Sequence, residues 1–273
     1  MEPEAARAAR ASIEAIVPIP LTVVIPTLNE AEGIAEAVGQ LAWADEVIVA
    51  DGGSTDATVE LARRAGARVL EGIGPTIAAQ RNAAIAAAHN RWILALDADE
   101  RVPPPLRAEI AACLAAPAAS AYRMRLRTFY LGREFKRAHG GQEWKTRLFT
   151  SDRRYLERRV HESLEPGPEP GKLRECLLHY PYRDISHQHQ KLDHYARWGA
   201  QDLYDQGRRA GFADLAFRPL WRFVRGYFLR GNCLDGRYGL VNSVMDAYAA
   251  YLKYAYLWDL ERTRSAPPPP LLP

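Results

Sequence analysis

Two carboxylates one residue apart, Asp97 and Asp99, follow the apolar run Trp92-Ile93-Leu94-Ala95-Leu96. That run can bury on both faces, as strands of a parallel sheet do. In extended backbone, side chains two apart point the same way, so the two carboxylates would share a side. Side by side they repel unless something positive sits between them, and a divalent cation with oxygen ligands is the natural partner. The carboxyl end of a strand in an α/β sheet is also where such folds bind ligands. An Asp-rich turn after a strand is the plainer alternative, and the fragment alone supports both. Three other sets of polar residues follow strand-like runs or start a helix: Pro26-Thr27-Leu28-Asn29-Glu30, Asp51-Gly52-Gly53-Ser54-Thr55-Asp56 and Gln80-Arg81-Asn82.

The elements that must position these residues alternate. Strands are expected at Leu21–Pro26, Glu46–Ala50, Ala67–Leu70 and Arg91–Leu96. Helices are expected at Asn29–Leu41, Ala57–Ala65 and Thr76–His89. Alternating strand and helix implies a doubly wound, mostly parallel α/β sheet with right-handed crossovers. After Asp99 the alternation stops. A helix opens at Pro103-Pro104-Pro105, and mixed strands are expected at Ala121–Tyr130, Lys145–Phe149 and Arg154–Leu156. From Ser186 the chain reads as helical and aromatic. Phe217 to Arg230 interleaves large apolar residues with arginines, which suits either an interfacial amphipathic segment or a helix packed on the enzyme body.

The chain has 273 residues and a net charge of only +3, so nothing global points to nucleic acid. Its basic residues are clustered instead, from Arg123 to Arg159 and from Arg208 to Arg237, where phosphate groups or an anionic membrane surface could meet them. Cys113, Cys176 and Cys233 lack ligand spacing, which argues against a zinc site or a disulfide scaffold and fits a reducing cytoplasm. Met1 to Ala15 has no apolar core and does not read as a secretory signal. No run of 18 or more apolar residues is present.

The four polar sets, in this order on alternating strands and helices, are specific together. Through them the chain resembles the family-2 glycosyltransferases, with their GT-A nucleotide-sugar fold, over roughly residues 20 to 165. The resemblance implies a nucleotide-sugar pocket built by Pro26, Thr27, Asn29, Glu30, Asp51, Gly52, Gln80, Arg81 and Asp97. In it Asp51 would contact the nucleoside and Arg81 the diphosphate, through charge-assisted hydrogen bonds. The glycines after Asp51 let backbone approach a ligand closely. Asp56 has a structural explanation beside a helix start, and Asn82 can hold a loop. The resemblance makes Asp97 and Asp99 the metal motif, with Asp99 the more direct ligand of Mg2+ or Mn2+. One departure is clear: many members carry two aspartates before the Gly-Ser, whereas here Ala50 precedes Asp51.

An inverting transferase also needs a general base to take the acceptor hydroxyl's proton. Val160-His161-Glu162, after the Arg147-Leu148-Phe149 strand, resembles the arrangement in a subgroup of lipopolysaccharide-core β-1,4-glucosyltransferases. That resemblance makes Glu162 the base and His161 a helper or third metal ligand. Glu143 is the runner-up base, and His179 a weaker acceptor-side candidate. Asp235-Gly236-Arg237-Tyr238-Gly239 extends the likeness and suggests peripheral contact with the inner face of the membrane.

The expected organisation is an extension at 1–19, a catalytic domain at 20–185 (nucleotide half 20–100, acceptor half 101–185), a helical, membrane-associating region at 186–264 and a proline-rich tail at 265–273. The expected activity is inverting, metal-dependent transfer from a nucleotide sugar, a UDP-sugar first, to a glycolipid or saccharide acceptor in the cytoplasm. A nucleotidyltransferase fits less well, because no Gly-rich basic loop follows the first strand. A non-catalytic nucleotide-sugar-binding module is disfavoured by the presence of Asp97, Asp99 and Glu162 together.

Overall fold

The computed structural model describes residues 18–74, 76–135, 144–156 and 163–265. The expected α/β architecture with a helical C-terminal region is observed. Four β-branched or apolar runs form β1 (Ile19–Thr27), β2 (Ala44–Asp51), β3 (Arg68–Leu70) and β4 (Trp92–Ala95). They alternate with α1 (Ile34–Gly39), α2 (Thr58–Arg64) and α3 (Ile77–Ala87). The later strands are β5 (Glu100–Arg101), β6 (Ala121–Tyr130), β7 (Arg133–Glu134), β8 (Trp144–Thr150) and β9 (Gly171–Tyr182), and α4 (Pro104–Ala115) lies between β5 and β6.

The strand order is β3-β2-β1-β4-β8-β6-β9-β5, with β7 paired to β6. The first four strands are parallel, and β1 and β2 stay in register to their ends, Thr27 opposite Asp51. β8 then runs antiparallel to β4, with Ile93 opposite Phe149. The sheet is therefore mixed, and the parallel part is the half that carries the polar strand ends.

Among the described residues the chain divides into two compact units. The first takes 18–124, 146–156 and 163–175, and the second takes 125–135, 144–145 and 176–265. In the first, Val24, Ile48, Ile93 and Phe149 pack with Ala78, Ala84 and Tyr155. The small alanines of α3 let that helix lie close on β1 and β2. Each fully buried Ile or Phe side chain contributes about 1.5–3 kcal/mol of apolar burial. The Thr76 hydroxyl caps α3 by accepting from the Ala79 N–H at 3.2 Å.

Two elements differ from the sequence reading. The helix expected from Asn29 starts only at Ile34, because Asn29 is left-handed (φ 56°) and the N–H groups of residues 29–31 donate to side chains of the next loop. β9, twelve residues long, was not expected as a strand, since Lys172, Arg174 and Glu175 break its apolar alternation.

In the second unit, α5 (Ile185–Asp205) is capped by Asp184, whose carboxylate accepts from the His187 N–H at 2.8 Å. It is followed by α6 (Phe212–Val224), a π-helical turn (Arg225–Leu229), a 3-10 turn (Asn232–Asp235) and α7 (Gly236–Ser265). α7 packs against both α5 and α6, with Ala200, Tyr254 and Leu257 buried. No described helix is long and apolar enough to cross a membrane.

Candidate active site

Because β1, β2 and β4 are parallel, their carboxyl ends open on one edge of the sheet. Thr27, Asp51 and the Asp97–Glu100 segment all stand there. Asp51 is 2% exposed, and its carboxylate folds its own loop. One oxygen accepts from the N–H groups of Gly53 (2.9 Å) and Ser54 (2.8 Å), and the other from the Ser54 hydroxyl (2.5 Å). The Thr27 hydroxyl lies 3.5 Å from that second oxygen. The loop after β1 is stitched to this one: the Asn29 side chain accepts from the Thr55 N–H at 2.9 Å, and the Glu30 N–H donates to the Thr58 hydroxyl at 2.8 Å. Pro26, Thr27, Asn29 and Glu30 therefore share one rim with Asp51. Gly52 lies close to Gln80: a Cβ there would come within 2.2 Å of the Gln80 side-chain nitrogen, which would have to shift. Asp56 has the structural role expected of it, accepting from Thr58 and Ala31. Burial raises the Asp56 pKa, but the hydrogen bonds from Thr58 and Ala31 outweigh it and hold the carboxyl below its ordinary value.

The Asp97–Asp99 pair is arranged differently from the extended reading. β4 ends at Ala95, and Asp97–Glu100 is a turn closed by the Glu100 N–H donating to the Asp97 carbonyl at 3.0 Å. The positive charge at Asp97 comes from guanidinium groups. Arg81 donates to one carboxylate oxygen at 2.5 Å and Arg147 to the other at 2.5 Å. Arg147 also donates to Glu100 at 2.6 Å, and the Asp97 N–H donates to the other Glu100 oxygen at 3.0 Å. Both Asp97 oxygens accept from guanidinium groups, so the charge beside Asp97 in this structure is supplied by arginines. Asp99 stands in the same turn and, like Asp97, is partly buried.

Arg81, Arg147 and Glu100 are buried, at 1%, 6% and 1% exposure. Two arginines and the Glu100 carboxylate are thus taken out of water beside the partly exposed Asp97, which is tolerable only because each charge meets a partner. Burial pushes the Glu100 carboxyl up to about 7, against the pull of Arg147 and with the help of Asp97. Arg147 and Glu100 were not among the residues singled out from sequence. The signal for Arg147 was present: it lies two residues before Phe149 in β8, so both face the same side, and Phe149 is in the core. An arginine at a core-facing strand position requires a buried carboxylate.

On α3, Asn82 holds a neighbouring segment, as its type allows. Its amide donates to the Tyr155 carbonyl (2.9 Å) and accepts from the Tyr155 N–H (2.8 Å). Gln80 is buried and donates to the Gly74 carbonyl at 3.3 Å. His161, Glu162 and Glu143 lie outside the described residues. His179, on β9 in the second unit, has a ring nitrogen 3.4 Å from the Thr128 hydroxyl. Among the described residues, no group of three or more His, Cys, Asp or Glu gathers to hold a metal ion.

Comparison with known proteins adds the following. Residues 22–164 match the family model described as Glycosyl transferase family 2. Over 250 residues the chain is 31% identical to an uncharacterized glycosyltransferase of Rickettsia prowazekii, covering 86% of each chain. Over 258 residues it is 28% identical to the lipopolysaccharide core biosynthesis glycosyltransferase LpsC of Rhizobium meliloti, covering 91% of this chain and 96% of that one. Among solved structures, glucosyl-3-phosphoglycerate synthase from Mycobacterium tuberculosis aligns with 46% of this chain and 47% of its own, at 26% identity and a TM-score of 0.33.

Proposed function

The chain belongs to glycosyl transferase family 2 and is a glycosyltransferase, and from that premise we propose that it transfers a sugar, with inversion and a divalent cation, from a nucleotide-sugar donor to a glycolipid or lipopolysaccharide-core acceptor. The observation that carries the donor reading is the Arg81–Asp97–Arg147–Glu100 cluster, buried except at Asp97, by the carboxyl ends of parallel strands. The relative named for lipopolysaccharide core biosynthesis supports the acceptor class. In this reading residues 20–185 form the catalytic domain.

The nucleoside sits on the rim formed by Pro26, Thr27, Asn29, Glu30 and Asp51, with Gly52 and Gln80 packed beside it. A UDP-sugar is the first donor to test. Arg81 faces the diphosphate while Asp97 fixes the direction of its guanidinium. A divalent cation would be held by Asp99, whose hard carboxylate oxygen suits Mg2+ or Mn2+. When bound, the cation neutralises charge growing on the departing nucleoside diphosphate. Glu162 takes the proton of the acceptor hydroxyl as that oxygen bonds to the anomeric carbon and the bond to the diphosphate oxygen breaks. Attack from the face opposite the leaving group inverts the configuration, and His161 assists Glu162 or adds a metal ligand. The enzyme works in the cytoplasm against the inner face of the membrane, where its lipid-linked acceptor is presented.

A melting-temperature screen of nucleotide sugars with and without Mn2+ tests this. A donor that binds the folded state raises the midpoint, by an amount that grows with its concentration over Kd. The expected result is a shift with a uridine nucleotide that requires Mn2+ and is lost in Asp99→Asn. A shift of equal size without metal would remove the cation, and no shift with any nucleotide sugar would remove the donor.

A further inference from the structure

Arg81 is gripped from a second side, by a hairpin outside the strand ends. Tyr155 pairs with Leu164 in an antiparallel bridge, the Leu156 N–H donates to the Ser163 carbonyl at 2.9 Å, and the Glu165 N–H donates to the Arg154 carbonyl at 2.8 Å. Residues 154–156 and 163–165 are thus the two arms of a stem. The stem is fastened to α3 at one point, where the Asn82 amide pairs with both backbone groups of Tyr155 as a neighbouring strand would. That leaves the Tyr155 ring fixed in place. One side of the ring meets Phe149 edge-on, with centroids 5.9 Å apart. The Arg81 guanidinium carbon lies 4.8 Å from the ring centroid. Tyr155 is 5% exposed, and its hydroxyl has no hydrogen-bond partner among the described residues, so packing of the ring contributes to holding it there.

Arg81 and Asn82 are consecutive on α3, so one short piece of helix sends one side chain to Asp97 and the next to the hairpin. We propose that Asn82 and Tyr155 are positioning residues for Arg81: Asn82 sets the Tyr155 backbone, and the Tyr155 ring holds the guanidinium in the direction in which it meets the donor diphosphate. A buried guanidinium hydrogen-bonded to a carboxylate, as Arg81 is to Asp97, can still turn about that contact. An aromatic face on its flank removes that freedom through a cation–π contact that is strong because it is desolvated. Pre-setting the guanidinium means that less motion has to be frozen when the anion binds.

The inference rests on the donor reading above, and its test separates the two. UDP binding in the presence of Mn2+ is measured by calorimetry for wild type, Arg81→Ala, Asn82→Ala, Tyr155→Leu and Tyr155→Phe, with melting midpoints as the folding control. Arg81→Ala, Asn82→Ala and Tyr155→Leu should each weaken UDP on the order of tenfold. Tyr155→Phe, which keeps the ring, should restore most of what Tyr155→Leu loses. If Arg81→Ala weakens UDP while Tyr155→Leu and Asn82→Ala bind as wild type, the positioning role is wrong and the donor reading stands. If Tyr155→Phe is as weak as Tyr155→Leu, the ring is not the agent and the proposal fails. If wild type does not bind UDP, or Arg81→Ala binds it equally well, the donor reading fails and takes the proposal with it. Should Asn82→Ala not fold, the Tyr155 pair decides alone.

Discussion

The charges around Asp97 show how much a single proton can matter. Arg81 and Arg147 are balanced by Asp97 and Glu100, and Glu100 is the one of the four whose charge changes near neutrality, its carboxyl raised by burial from 4.5 to about 7. A carboxyl whose pKa is higher folded than unfolded binds more protons in the native state. Stability from it is therefore complete below 4.5 and is lost as pH rises toward 7. Glu100→Gln removes that dependence and mimics the protonated form. Its melting midpoint should approach and then exceed that of wild type as pH rises through this window, and a constant difference at all pH values would contradict the assignment. The base is tested at the same scale. Glu162→Gln should leave UDP binding intact and reduce transfer by about 10²–10⁴-fold, as expected when proton removal is lost. An unchanged rate would move the base to Glu143. Polar residue types at strand ends and on α3 singled out Asp51, Asp97 and Arg81, of which the fold joins Arg81 to Asp97. They did not name Glu100 or Arg147, because a buried ion pair between distant strands is a property of sheet order, and sheet order was not read for β8.

At the scale of elements, the alternating half of the chain was legible and the rest was less so. β1 to β4 and α3 fall within a few residues of where apolar periodicity puts them, since parallel strands buried on both faces leave near-continuous apolar runs. The Asp97–Glu100 turn was read as extended because a strand's end cannot be located from a run of apolar residues that continues past it, as Leu96 does here. The shortened α1 has a similar cause: Asn29 to Ala31 satisfy their N–H groups with side chains of another loop, a contact that helical spacing cannot reveal. Gly52 links two elements. A methyl group there meets the Gln80 amide, which is buried and hydrogen-bonded to Gly74, so Gly52→Ala should cost about 1 kcal/mol, the net worth of one lost hydrogen bond. The double variant Gly52→Ala with Gln80→Ala should show coupling, the second change removing most of the cost of the first. Additive losses in chemical denaturation would mean that Gly52 is required for some other reason.

For the molecule as a whole, the +3 charge says little, and its distribution says more. α6 has no buried residue, and Phe212, Phe217, Leu220 and Trp221 stand exposed on it, with Phe228 and Leu229 exposed in the π-helical turn that follows. Phe212 is 81% exposed and Leu229 68%, values rare for large apolar side chains at the surface of a monomer. Arg222, Arg225 and Arg230 are exposed in the same stretch. Sequence left this stretch between two readings, a packed helix or an interfacial one, since both use the same residue types; α6 packs on α7 and leaves these residues exposed, and we propose the interfacial reading for the exposed face. An apolar face edged by guanidinium groups suits an anionic bilayer, into which rings insert while arginines meet lipid phosphates. The full chain should then sediment with vesicles containing roughly a third phosphatidylglycerol and much less with purely zwitterionic ones. High salt should weaken the binding without abolishing it, because screening removes the electrostatic part and leaves the apolar part. Phe217→Ser with Trp221→Ser removes two side chains worth about 1.5–3 kcal/mol each when fully buried, enough to lose most of the bound fraction. UDP binding should not change, since both residues lie in the second unit and the nucleotide rim lies in the first. Equal sedimentation of the double variant and wild type would show that this face meets something other than lipid.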